Sequence, residues 1–174
     1  ALKTLPEIQR RVCDSCHRTL LFEGIELLES EERKQVRLSI GQGPDADLEG
    51  AYDVHLDIRP VPGIDVVGAW QDVVFPRDSF SYIFSSQTLE HLSRADQAQA
   101  LRKAYFWLEP GGVLDIWTPD LEQQVEWVIA HEITWEWFQQ VCYGEQDYPA
   151  NTHLWVHTKA SLDAMVIAAG FVID

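Results

Sequence analysis

Apolar positions along the chain recur at two spacings, and each change of spacing marks an element. Val36, Leu38 and Ile40 alternate with polar residues, the period of a strand with one buried face. Tyr52 to Ile58, Ile64 to Val67, Ser81 to Ser85 and Val113 to Trp117 are further strand-length runs. The Ser81 run is mostly apolar and aromatic, which fits burial on both faces. Helical spacing appears first at Ile8, Val12, Cys16 and Leu20, predicting a helix from Pro6 to about Leu21 with proline in its first turn. Ser93 followed by Asp96 resembles a capping box. It opens a helix to about Leu108 that is expected to bury Ala98, Leu101, Ala104, Tyr105 and Leu108. Glu109-Pro-Gly-Gly112 should stop that helix. Asp120 to Phe138 reads as a tryptophan-rich helical region, with Val125, Val128, Ile129, Ile133 and Phe138 as core contacts. Tyr143 to Thr158 reads as a loop, Lys159 to Ala169 as a last helix closed by Gly170, and Phe171 as the start of a strand.

Strands alternating with helices imply an α/β fold, with a doubly wound, mostly parallel sheet and helices on both faces. The Val36 strand should lie between those of Tyr52 and Ser81. The Phe171 strand should sit at an edge, with the last strand or strands truncated at Asp174. Residues 1–35 form an N-terminal helical extension in this reading, and residues 36–174 the domain proper.

Composition narrows the partners. At 174 residues the chain is one domain with room for a sizeable core. It has 28 acidic residues against 13 basic ones, a formal charge of −15, and the basic residues are scattered. Polyphosphate backbones require clustered Lys and Arg, so DNA and RNA are not expected partners. The acidity reads as a solvated surface, or as a match to a basic or neutral partner. No apolar run is long enough to span a membrane, and no signal-peptide pattern opens the chain. Three cysteines are too few for a disulfide framework, which points to a reducing, cytoplasmic location. Cys13-Asp-Ser-Cys16-His17 matches a haem-attachment spacing in form. The absence of a second cysteine pair and of an evident axial ligand nevertheless leaves no metal expected anywhere in the chain.

The candidate chemistry starts where the Val36 strand runs into Gly41-Gln42-Gly43. Two glycines one residue apart let a ligand approach the backbone. Asp57, closing the Tyr52 strand, stands where an acid takes ribose hydroxyls. Only Gly41 to Ala51 separates these strands, too little for a full crossover helix. The third glycine that opens a pyrophosphate-binding helix is also missing. The pattern therefore favours a nucleoside ligand over NAD or FAD. Gly41 to Gly43, Asp57, the Gly68 to Asp72 loop and Ser85 to Gln87 all fall at strand carboxyl ends, so four loops converge on one crevice.

These residues together resemble a class I S-adenosylmethionine-dependent methyltransferase of Rossmann-like fold, specifically the small methyltransferase-11-like group. The likeness runs from about Val36 to Phe171. Its carriers are Leu38-Ser-Ile-Gly-Gln-Gly43, His55-Leu-Asp57-Ile58, Ile83-Phe-Ser-Ser-Gln-Thr-Leu-Glu-His91, Leu108-Glu-Pro-Gly-Gly-Val-Leu-Asp-Ile-Trp-Thr-Pro119 and Ala169-Gly-Phe171. The resemblance implies S-adenosylmethionine as cofactor, with contacts at Gly41, Gln42, Gly43, Asp57, Ile58, Trp70, Asp72, Ser85 and Ser86. It also implies a small-molecule or glycan acceptor, with His153 and His91 as candidate bases beside Asp120 and Tyr143. Three features depart from the pattern. Ser39 replaces the usual Asp, Glu or Asn. Ala69 stands near the usual adenine-binding acid, leaving Asp72 or backbone atoms to serve, and the seventh strand has no sequence. A catalytically degenerate binding protein of the same fold is the alternative, and a nicotinamide oxidoreductase a more distant one.

Overall fold

The computed structural model describes residues 2–4, 35–41 and 51–173. The helix expected over Pro6 to Leu21, Cys13, Cys16 and His17, and both Gln42 and Gly43 lie outside the described residues.

The described strands are β1 (Leu2–Thr4), β2 (Arg37–Ile40), β3 (Val54–Asp57), β4 (Val66–Val67), β5 (Phe80–Ser86), β6 (Leu108–Trp117) and β7 (Phe171–Ile173). They join in one sheet in the order β4-β3-β2-β5-β6-β1-β7. Five of them, from β4 across to β6, run parallel, and β1 pairs antiparallel with both β6 and β7. The Val36 strand thus lies between its two expected neighbours, and Phe171 begins an edge strand. The helices are α1 (Arg94–Trp107), α2 (Leu121–Ile129), α3 (Trp135–Tyr143) and α4 (Lys159–Ala168).

The core follows from the strand pattern. Leu38, Ile40, Leu56, Ile83 and Leu114 are fully or almost fully buried, and Leu101, Ala104, Trp107 and Val166 come down on them from the helices. Each such large apolar side chain contributes about 1.5–3 kcal/mol by leaving water. α1 starts where expected, its Ser93 hydroxyl accepting the Asp96 N–H at 3.2 Å. Its buried face differs from the expected one, because Gln97, Ala100 and Trp107 are buried while Ala98 and Tyr105 are only partly covered. Gln97 earns its place through hydrogen bonds. Its amide donates to the Leu89 and Trp155 carbonyls, and its carbonyl oxygen lies 2.8 Å from His157 Nε2.

Two expectations need correction. Glu109-Pro-Gly-Gly112 is not a turn ahead of the fifth parallel strand but the first part of β6 itself. Phe80 pairs with Leu108 and Tyr82 already with Val113, so the extra residues form a bulge, with Gly111 at φ 83° where a side chain would be strained. Of the core contacts expected in the tryptophan-rich region, only Val128 is buried. Val125 is 37% and Ile129 69% exposed, and Ile133 and Phe138 are partly covered. The region is two helices, capped by Asp120 and Thr134, rather than one.

α4 opens with a reciprocal cap. Thr158 Oγ1 accepts the Ser161 N–H at 3.2 Å, and Ser161 Oγ accepts the Thr158 N–H at 3.0 Å. Thr158→Ala is expected to cost about 1 kcal/mol, read as a lowered denaturant midpoint with unchanged slope. An unchanged midpoint would show that the cap contributes nothing to global stability.

Candidate functional site

The carboxyl ends of the parallel strands are aligned by backbone hydrogen bonds that continue beyond each strand. Gly41 donates its N–H to the Leu56 carbonyl at 2.8 Å, Gly68 to Asp57 at 2.9 Å and Gln87 to Trp117 at 2.8 Å. Their loops enclose a crevice of about 310 Å³, at the small end of the range for ligand sites. Ile40, Gly41, Leu56, Asp57, Ile58, Gly68, Trp70, Thr88 and His91 line it, and Tyr148 to Ala150 and Leu154 face it from the other side.

Gly41 holds the tightest approach. Its φ is 78°, and a Cβ added there would lie 1.8 Å from Thr88 Oγ1. Thr88 is fixed in turn, donating to the Ser86 carbonyl at 2.9 Å. Only glycine lets these two loops meet with the backbone bare to the crevice.

Asp57 is 3% exposed at the end of β3. Its Oδ1 accepts the Arg59 backbone N–H at 2.8 Å and Arg59 Nε at 3.1 Å, and its Oδ2 accepts Nη2 at 3.2 Å. The Arg59 guanidinium also lies 5.8 Å from the Tyr148 ring centroid, within cation–π range. Arg59 therefore reaches from the strand end to the opposite wall. Trp70 is 2% exposed, and its Nε1 has no hydrogen-bond partner among the described residues.

A second constellation adjoins the crevice on the turn Leu89–His91. The Glu90 carbonyl accepts the N–H groups of Leu154 and Trp155 at 2.8 and 3.2 Å, which lays the segment after the Pro149–Asn151 turn against this one. His91 and His153 meet edge to face, centroids 4.6 Å apart. His91 Nδ1 lies 3.2 Å from the Thr152 carbonyl, and His153 Nδ1 lies 2.7 Å from that of Val141. Burial and then repulsion by His153 lower the His91 pKa, against the opposing pull of the Thr152 and Gln87 carbonyls. Burial pushes the fully enclosed Glu90 carboxyl up to about 7, although its own N–H and the Thr118 hydroxyl act the other way.

Among the sequence candidates, Gly41, Asp57, Ile58, Trp70 and His91 line this crevice. His153 stands behind His91 rather than in the lining. Asp72 is an exposed residue outside the lining, its N–H bonded to the Ala69 carbonyl. Ser85 is fully buried in β5 with its hydroxyl unpartnered among the described residues, and Ser86 offers its carbonyl to Thr88. Ser39 bonds His55 Nδ1 across to β3 at 2.8 Å. Sequence reasoning missed Arg59, Thr88, Glu90 and Tyr148. A signal existed for Arg59, since positions two apart in extended chain share a side. None existed for Thr88, which meets Gly41 only through tertiary folding.

A family model described as a methyltransferase domain matches residues 7–174. No curated protein matches the chain significantly. Among solved structures, the chain is similar to an S-adenosylmethionine-dependent methyltransferase, possible histamine N-methyltransferase, from Thermotoga maritima. Identity there is 20%, the alignment covers 97% of this chain and 70% of that one, and the TM-score is 0.56. A methyltransferase from Mesorhizobium loti is 18% identical over 80% of this chain and 75% of that one, with TM-score 0.54. One from Methanosarcina mazei is 15% identical over 82% of each chain, with TM-score 0.56. At these identities the likeness is one of fold.

Proposed function

We infer that this chain, which belongs to the methyltransferase domain family and takes S-adenosylmethionine as its cofactor, methylates a small-molecule or sugar acceptor at a hydroxyl or amine. The observation that carries this reading is the crevice at the ends of β2, β3 and β5, with bare Gly41 backbone on one side and buried Asp57 on the other.

The residues present fit the cofactor. A side chain at Gly41 has no space, so the loop presents backbone alone. Trp70 Nε1 is a buried donor in the lining without a partner among the described residues. Asp57 is an acceptor at the strand end, where ribose hydroxyls are held in folds of this kind. Arg59 occupies both its carboxylate oxygens, so hydroxyls must share or displace that guanidinium. Ala69 and Gln71 lie in the lining and Asp72 does not, and the proposal gives the adenine side to backbone atoms or to Gln71. Cofactor contact at Gln42, Gly43, Ser85 and Ser86 remains part of the proposal.

When bound, the cofactor supplies a methyl group on a sulfonium centre open to in-line attack. The chain's own part is to align the acceptor, exclude water and help its proton leave. His91 faces the crevice and is the candidate that touches the acceptor, with His153 packed against it to hold the ring. Tyr148, Pro149 and Leu154 form the facing wall, a surface suited to a compact, partly polar acceptor. Among the described residues no helix is long and apolar enough to cross a membrane, and a cytoplasmic location belongs to this proposal.

The test is methyl transfer itself. Purified protein incubated with methyl-labelled S-adenosylmethionine and a panel of sugars, hydroxylated compounds and amines should label one class and release S-adenosylhomocysteine in equal amount. Tight S-adenosylhomocysteine binding without transfer to any of them would favour the degenerate reading.

A further inference from the structure

Glu90, His91 and His153 offer three ligand atoms that all lie within 4.8 Å of one another. Glu90 is fully buried; its Oε2 accepts from Thr118 Oγ1 at 3.0 Å, while its Oε1 is enclosed with no hydrogen-bond partner among the described residues. A buried carboxylate oxygen without a partner is unfavourable unless something cationic meets it. Each histidine is oriented by a backbone carbonyl at Nδ1, Thr152 for His91 and Val141 for His153. A carbonyl only accepts, so the proton sits on Nδ1 and Nε2 carries the lone pair. Metal-ligating histidines are held in this way, by a carbonyl on the nitrogen that does not ligate.

We propose that Glu90, His91 and His153 bind one divalent transition-metal ion beside the crevice, with an open coordination position toward the acceptor. Two imidazoles and a carboxylate suit zinc, cobalt, manganese or iron(II) better than magnesium or calcium. Bonds of about 2.0–2.2 Å place tetrahedral ligand atoms roughly 3.4 Å apart. The three side chains therefore close in by about an ångström, within reach of their terminal torsions.

Such an ion cross-links two parts of the chain. Glu90 and His91 belong to the turn after β5, whereas His153 belongs to the segment that forms the opposite wall. It thus reinforces the Leu154 and Trp155 hydrogen bonds to Glu90. An acceptor hydroxyl at the open position loses its proton to water more readily, which deepens the role of the two histidines. That last consequence rests on the methyl-transfer reading; the binding of the ion does not. The sequence pattern pointed away from metal because it drew attention only to the cysteines.

The experiment strips the full chain with chelator and titrates it with Co²⁺, following visible d–d absorption and bound metal per chain. The expected result is one tightly held ion with no thiolate charge-transfer band. Glu90→Gln and His153→Ala should each weaken uptake by at least about tenfold with unchanged circular dichroism, and Cys16→Ser should leave it intact. If His153→Ala does not fold, the near-isosteric Glu90→Gln decides. Substoichiometric uptake, uptake that survives Glu90→Gln, or uptake lost on Cys16→Ser would overturn the site. S-adenosylhomocysteine binding by the same stripped protein reports separately on the methyl-transfer reading.

Discussion

Replacing His91 with alanine is expected to slow methyl transfer by roughly two to four orders of magnitude. His91 is the histidine that lines the crevice, and its ring is held by the Thr152 carbonyl on one side and His153 on another. Removing it deletes the group that faces the acceptor, whether that group acts alone or through a bound cation. His153→Ala should produce a loss of the same kind, because the His91 ring then loses the neighbour packed edge to face against it. The measurement is steady-state turnover with any acceptor that the unaltered protein methylates, alongside cofactor affinity. A fall in kcat with S-adenosylhomocysteine affinity preserved identifies a role in the chemistry. Turnover that does not change in either variant would reduce both histidines to packing residues.

The second large effect lies at Asp57. Hydrogen bonds to a charged acceptor are worth about 1.5–3 kcal/mol each, and every 1.4 kcal/mol is roughly tenfold in affinity. Two ribose hydroxyls on one carboxylate would suggest a larger loss than is expected here. The Arg59 guanidinium already occupies that carboxylate, so the hydroxyls exchange for an existing interaction rather than adding to none. Asp57→Ala should accordingly weaken cofactor binding by roughly one to three orders of magnitude. Arg59→Ala separates the two contributions, since it frees the carboxylate and should preserve or tighten binding. Equal affinity in Asp57→Ala and unaltered protein would remove Asp57 from the site. The fold should survive both changes, because Asp57 is the last residue of β3, paired with β4 through its backbone at Val67, and it lines the crevice.

Much of this architecture was legible because strand periodicity depends on local alternation and burial. Val36 to Ile40 and Ser81 to Ser85 announce buried strands through their own residue types, and Ser93 announces a cap through a bond three residues away. β1 offered no such signal. Leu2–Thr4 is three residues long and owes its place to antiparallel pairing with Val113, Leu114 and Phe171 to Ile173, more than a hundred positions away. The exposed faces of α2 and α3 show the opposite failure. Helical spacing groups Val125 with Ile129, but spacing alone does not say whether another element covers that face. The crevice divides along the same line: Gly41 and Asp57 end recognisable strands, whereas Thr88 over Gly41 and His153 against His91 are products of folding. Glu90 was visible in the Leu-Glu-His run, yet its burial and unpartnered oxygen were not.

The crevice between Gly41, Asp57 and Trp70 is expected to take an adenosyl ligand. Calorimetric titration of the unaltered chain with S-adenosylhomocysteine tests this most directly, repeated in the presence of excess NADH. The expected result is saturable binding of one ligand per chain that NADH does not displace. Absence of binding heat at any accessible concentration, or displacement of the ligand by NADH, would contradict it.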